Sequence, residues 1–259
     1  MSPKIHPTAL VASSATLGVN VVIGAYAIVG ERAFLGDDTV VHPHGVIVDD
    51  VRIGARCRVH SFAVIGGEAQ DKKASLVGSL VIGDDNIFRE HVTVHKGAVR
   101  NETHSSVQRN SRVGTAIGHR NLLMVGAHVG HDVVVGSDVT LSNGVLLAGH
   151  VTVEDHAVFG GLAAIQQFVR VGESAFVAGG AMVERDVIPY VIVQGDRARI
   201  RGVNRVGLAR RGVDEREIAI LEKAYVALFG GSRTVSQAMQ ELAESPSPYV
   251  QAWLRALKR

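Results

Sequence analysis

Leu17-Gly18-Val19-Asn20-Val21-Val22-Ile23-Gly24-Ala25-Tyr26-Ala27-Ile28-Val29-Gly30-Glu31-Arg32-Ala33-Phe34-Leu35-Gly36 repeats one instruction every six residues: an aliphatic side chain, a glycine, then four mixed positions. Upstream the same phase holds at Ile5 and Val11, and downstream at Val41, Ile47, Ile53, Val59 and Ile65. It lapses after Gly66, returns at Ile82, Phe88 and Val94, and lapses again through Arg112. It then runs unbroken through Ile117, Leu123, Val129, Val135, Leu141, Leu147, Val153, Phe159, Ile165, Val171, Val177 and Val183. A period of six is neither the 3.6 of an amphipathic helix nor the 2 of a half-buried strand, whereas a β-helix produces it, each hexad forming one face with one aliphatic residue inward. Three such faces make a coil, and residues one coil apart stack about 4.8 Å from each other along the axis. Small residues beside the corners are expected to let the chain turn tightly.

The composition agrees. With 29 glycines and only 5% aromatic residues, the core is one of many small turns rather than stacked large side chains. The 259 residues, 46% of them hydrophobic, suffice to bury a sizeable core. A formal net charge of +2 gives no argument for nucleic acid or a strongly anionic surface. The single cysteine, Cys57, excludes an intrachain disulfide and a cysteine-built metal site, and no histidine stands in its hexad to activate it as a nucleophile. The N-terminus lacks the apolar run of a signal peptide, and no stretch approaches the roughly 20 apolar residues of a membrane span. A soluble, cytoplasmic protein is the expectation.

A solenoid accommodates extra residues as loops leaving a corner, so the lapses predict loops near residues 67–80 and 95–116. The first carries Glu68, Gln70, Asp71, Lys72 and Lys73. The hexads stop near Pro189, dividing the chain into a β-helix over residues 1–190 and a helical domain over 191–259. An amphipathic helix is predicted over 213–230, with Ile218, Leu221, Ala224, Tyr225 and Leu228 on one side. Two shorter helices follow over 234–244 and 248–258, with Ser232 or Thr234 and then Ser247 as N-caps and Pro248 in a first turn. Such a domain would cover one open end of the solenoid, where exposed strand edges invite pairing.

Reactive groups are densest in Asn121-Leu122-Leu123-Met124-Val125-Gly126-Ala127-His128-Val129-Gly130-His131-Asp132. His131, Gly149 and Gln167 each stand two positions after an inward residue, so they occupy equivalent places on successive coils, with His150 beside Gly149. A histidine suits general-base work at neutral pH, its ordinary pKa being about 6.5, and a carboxylate neighbour such as Asp132 can hold its tautomer. The run Arg197, Arg199, Arg201, Arg205, Arg210 and Arg211 contains no acidic residue. It reads either as a solvated linker or as a surface for phosphate groups or an acidic protein.

The stretch from His128 to Asp132, the run Leu147-Ala148-Gly149-His150, the pair Gln167-Phe168, the segment Pro189-Tyr190-Val191-Ile192-Val193-Gln194-Gly195, and Gly202-Val203-Asn204 followed by Arg210-Arg211-Gly212 together resemble the UDP-N-acetylglucosamine acyltransferases of lipid A synthesis. The resemblance spans nearly the whole chain. It implies a mainly β fold, a left-handed parallel β-helix of triangular section with a C-terminal α-helical domain, assembled as a homotrimer with active sites between subunits. It further implies transfer of a 3-hydroxyacyl group from acyl carrier protein to the 3-hydroxyl of UDP-N-acetylglucosamine. No metal or cofactor is implied beyond the phosphopantetheine that the carrier protein brings. By the same resemblance His131 is the general base, Asp132 its orienting partner, and the Gly149 N–H the oxyanion donor. Asp71 and Lys73 would contact the sugar nucleotide and acyl donor; His128, His150, Gln166 and Gln167 would line the cleft. Asn204, Arg210 and Arg211 would meet the nucleotide phosphates or phosphopantetheine. Gly179 marks acyl depth and, being glycine, leaves the channel open to a longer chain.

Two positions depart from that family's pattern. Gln166-Gln167 stands where His-Gln is usual, and Val206 stands where an acidic residue usually follows Gly-Val-Asn. Both put the acceptor in question, since a UDP-sugar bearing a 3-amino group would give an amide, and they leave room for a non-catalytic or regulatory paralogue. A zinc-dependent carbonic anhydrase built on the same kind of solenoid fits less well, because His128 and His131 are too closely spaced for its usual ligand pattern.

Overall fold

The computed structural model describes residues 2–74, 76–99, 114–231 and 233–258. Three parallel sheets run the length of the solenoid, and up to Met182–Val183 consecutive strands in the chain fall on different sheets. We call the sheets that begin at Lys4–Ile5, Leu10–Val11 and Thr16–Leu17 the first, second and third faces. The register advances one coil at a time, Lys4 pairing with Val22, Val22 with Val40 and Val40 with Arg58. Between Arg56 and Asp85 the step lengthens to 29 residues, and between Asn86 and Asn121 to 35, where the two predicted loops intervene. Residues 100–113 of the second loop lie outside the described residues.

The inward aliphatic positions are buried from Ile23 to Val183, as one continuous core. Ile5 is exposed because the first coil has no neighbour on its outer side. Polar groups inside the corners are paired: Thr39 Oγ1 donates to the Gly54 carbonyl, and Asn121 Nδ2 donates to that of Gly136.

The corners differ from the sequence-based expectation in an instructive way. The left-handed backbone conformation falls three residues after the inward position, and there the residues are mostly not glycine: Asn20, Tyr26, Arg32, Asp38, His44 and Asp50 have φ between 54° and 62°. The glycine directly after the inward residue serves a different need. A methyl group on Gly36 would lie 2.6 Å from the Gly54 carbonyl carbon and 2.7 Å from the Ala55 nitrogen. Glycine there lets one coil settle on the next.

The chain beyond the solenoid is not helical throughout. Val191–Gln194 adds to the first face beside Phe176–Val177, and Arg199–Val203 pairs with it antiparallel. Then follow α1 (Arg205–Arg210), α2 (Glu215–Phe229), α3 (Val235–Glu241) and α4 (Pro248–Leu257). Thr234 caps α3 in a reciprocal capping box with Gln237, and Ser247 caps α4 with Pro248 in its first turn. Ser232 lies outside the described residues. Trp253 of α4 is fully buried and donates its Nε1–H to the Pro189 carbonyl at 2.6 Å, fastening the helices over the last coil. Among the described residues no helix is long and apolar enough to cross a membrane.

Candidate active site

Both loops leave the solenoid after the second face and rejoin it at the third, and the stacked histidines stand on that same edge. His128–Val129 pairs with Thr93–His95 on one side and Leu146–Leu147 on the other, which in turn pairs with Ala164–Ile165. This register brings His131, Gly149 and Gln167 to equivalent positions on successive coils.

His131 is 7% exposed, and its Nδ1 lies 2.8 Å from Asp132 Oδ2. With Nδ1–H given to the carboxylate, the lone pair resides on Nε2. That nitrogen faces Gly149, where a methyl group would come within 2.7 Å of it. His150 packs edge-on against His131 at 5.0 Å between centroids and stacks on Phe168 at 4.7 Å. Its Nε2 is 3.9 Å from Asp132 Oδ2. Donor atoms of His131, Asp132 and His150 thus lie within 4.8 Å of one another, a spacing that a divalent ion could also use.

The amide at Gly149 is available. At several corners the N–H two residues after the inward position is capped by a side chain from the next coil, as Val19 by Asp37, Glu31 by Asp49 and Ser137 by Asp155. The residue one coil beyond Gly149 is Gln167, which is exposed, and the Gly149 N–H meets no acceptor among the described residues. An imidazole nitrogen and the residue that carries an uncapped N–H therefore stand against each other, the two group types that acyl transfer needs.

His128 is half-buried on the second face with Nδ1 2.8 Å from Thr93 Oγ1. Burial first, and the neighbouring His95 second, hold its pKa below the ordinary imidazole value. His95 itself was not singled out by the hexad pattern, which placed it only at the root of a loop. Its ring lies against Gly67 and its Nδ1 donates to the Glu68 carbonyl at 2.5 Å, tying the first loop to the second face. In that loop Asp71 Oδ1 accepts the Lys73 N–H at 2.9 Å, shaping a turn that leaves the Lys73 side chain exposed. Gln166 and Gln167 are both exposed beside Phe168.

The remaining candidates lie on other corners. Gly179 is exposed on the corner between the first and second faces. Asn204 and Arg211 are tied to Ser174, on the corner between the third and first faces. The Asn204 side chain is buried: it donates to the Ser174 carbonyl at 2.8 Å and accepts the Gly207 N–H at 3.1 Å, capping α1. Arg211 pairs with Glu173 at 2.7 Å and donates to Ser174 Oγ. Arg205 pairs with Glu215 and Glu222, and Arg197 lies 3.9 Å from Glu184. The arginine run is therefore partly neutralised by residues distant in sequence. Among the described residues, Arg199, Arg201 and Arg210 have no carboxylate partner. Within one chain, His131 and the residues expected to meet phosphate do not share a corner.

Comparison with known proteins agrees with this geometry. A family model described as "Udp N-acetylglucosamine O-acyltransferase; Domain 2" matches residues 186–259. The chain is 42% identical over 240 residues to the acyl-[acyl-carrier-protein]–UDP-N-acetylglucosamine O-acyltransferase of Myxococcus xanthus, covering 92% of this chain and 89% of that one. Its identity to the Campylobacter concisus protein of the same name is 36% over 246 residues, covering 94% and 90%. The crystal structure of the UDP-N-acetylglucosamine O-acyltransferase from Moraxella catarrhalis superimposes with a TM-score of 0.88 at 34% identity, covering 98% of this chain and 96% of that one. With the fold matched from end to end and relatives this similar in sequence, the chain belongs to the UDP-N-acetylglucosamine O-acyltransferase family.

Proposed function

We propose that this protein moves a 3-hydroxyacyl group from acyl carrier protein to the 3-hydroxyl of UDP-N-acetylglucosamine, the first step of lipid A synthesis, as a cytoplasmic homotrimer. The observation that carries the reading is His131, held by Asp132 with its Nε2 facing Gly149 and that residue's uncapped N–H. Nε2 takes the proton of the 3-hydroxyl as its oxygen attacks the thioester carbonyl carbon. The Gly149 N–H binds the resulting oxyanion, a contact commonly worth about 3 kcal/mol. Collapse breaks the C–S bond, and His131 returns its proton to the departing thiolate, leaving an ester and a free phosphopantetheine thiol. The protein supplies no cofactor of its own, and dialysis against a chelator is expected to leave turnover unchanged.

The division of candidates among corners supports a shared site, with Arg210 and Arg211 of one subunit approaching the nucleotide or the donor beside His131 of another. Gly179 adds no side chain at the acyl end, which favours a longer acyl group. An amide-forming reaction on a UDP-3-amino sugar is the second reading, favoured by exposed Val206 and Gln166, neither of which offers an acidic or imidazole group to the acceptor. The deciding experiment supplies carrier proteins of several acyl lengths and both UDP-sugars, and compares kcat/KM by product mass. Preference for the hydroxyl sugar is expected. A preference above about 100-fold for the amino sugar, some 2.7 kcal/mol, would reverse the order. His131→Ala should lower kcat by at least about 100-fold in an intact trimer, and near-normal turnover there would sink the mechanism.

A further inference from the structure

Aspartates recur at the left-handed corners of this solenoid, and Asp132 is held differently from the others. At ordinary corners the residue with positive φ donates its N–H to a carbonyl of the preceding coil: Asp38 to Val19 at 2.8 Å, Asp50 to Glu31 at 2.9 Å and Asp138 to His119 at 2.9 Å. Their carboxylates then meet cations or amides along the outside, as Asp50 meets Arg32, Asp138 meets Arg120 and Asp38 meets Asn20. The second loop takes that backbone partner away from Asp132, because the preceding coil departs from its corner after His95.

Three groups at the two ends of the loop replace what is missing. Thr115, 1% exposed, accepts the Asp132 N–H on Oγ1 at 2.9 Å. The Ala98 N–H donates to Asp132 Oδ2 at 3.0 Å, the oxygen that also receives His131. Gly97 is packed between the Gly114 backbone and the carboxylate, so that a methyl group there would lie 2.5 Å from Gly114 Cα and 2.7 Å from Oδ1. The support is itself braced by the first loop. Ser79 offers one carbonyl to both the Gly97 and the Thr115 N–H at 3.1 Å, Gly78 donates to the Gly97 carbonyl at 2.7 Å, and Val77 pairs with Ala98.

We infer that Thr115 and the Gly97-Ala98 step are positioning residues for the His131–Asp132 pair, setting the carboxylate against Nδ1 and so fixing which nitrogen carries the lone pair. The inference rests on the general-base reading of His131. It assigns the ends of the second loop a role in turnover, and it predicts that disturbing them acts on the chemical step rather than on substrate affinity.

The test compares Thr115→Val, Thr115→Ser, Gly97→Ala and His131→Ala as purified trimers, with the thermal midpoint and the oligomeric state measured for each. Thr115→Val and Gly97→Ala are expected to lower kcat at least about tenfold with KM within about twofold of the parent. Thr115→Ser, which keeps the acceptor oxygen, should restore kcat to within about threefold. The proton resonance of His131 Nδ1–H should be sharp in the parent and in Thr115→Ser, and broadened or absent in the other two positioning variants. A folded Thr115→Val trimer with parental kcat, or a loss that Thr115→Ser does not repair, overturns the positioning role while His131→Ala remains inactive. Should Thr115→Val fail to fold, Thr115→Ala, which also removes the acceptor oxygen, decides in the same way. Retained turnover in His131→Ala overturns the base reading and this inference together.

Discussion

At Gly149 the ring of His131 occupies the space that any side chain would fill, while the glycine N–H meets no acceptor among the described residues. Gly149→Ala keeps the N–H and adds only a methyl group 2.7 Å from His131 Nε2, so the imidazole must move. A displacement of that size near reacting atoms lowers rates by about 100-fold, and the expected result is a loss of kcat with the unfolding midpoint within a few degrees of the parent. Cys57 is the contrasting case. Its thiol donates to the Gly83 carbonyl at 3.2 Å, and burial pushes its pKa up to about 11. Iodoacetamide at pH 8 should leave the native protein unmodified and label the denatured chain fully, by mass spectrometry. Both placements were legible in the sequence, since coil spacing alone stacks His131 with Gly149 and leaves Cys57 without a histidine. Ala98 was not, because its contact to Asp132 crosses 34 residues through a loop that breaks the repeat, and Thr115 was not, because it stands at that loop's far end, before the repeat resumes at Ile117.

Among the elements, the corner carries the least expected chemistry. Glycine is ordinarily assigned to positive φ, yet here Gly36 is required by the approach of the next coil while Asp38, at φ 58°, takes the left-handed turn. Gly36→Ala should therefore destabilise by about 1–3 kcal/mol through overpacking of backbone on backbone. Asp38→Gly should change stability by less than about 1 kcal/mol, relief of the turn offsetting the greater freedom of the unfolded chain. Chemical denaturation of the two variants compares them directly, and equal losses would contradict this division of labour. The hexad pattern reveals the inward residue and where loops must leave, because both follow from the period. It conceals the corner, because Asn20, Tyr26, Arg32 and Asp38 share no residue type. It conceals the hairpin of Val191–Gln194 and Arg199–Val203 as well, since that pair extends the first face after the repeat has ended.

For the molecule as a whole, the placement of candidates on separate corners yields a prediction that no single chain can satisfy. His131→Ala subunits lack the base, and subunits with both Arg210→Ala and Arg211→Ala lack the basic pair, so trimers of either kind should turn over poorly. Trimers reassembled from an equal mixture should regain activity at about one site in four, where an intact base meets an intact basic pair across a subunit boundary. No gain on mixing would return the site to one subunit. The solenoid also has mechanical consequences. Before the first loop each coil is fastened to the next at a constant 18-residue step, the strands of the first coil pair on one side only, and the last coil is clamped by Trp253 through the Pro189 carbonyl. Tension applied between the two termini should unspool the protein from the N-terminal end, paying out about 60 Å of chain for each 18-residue turn released until the first loop is reached.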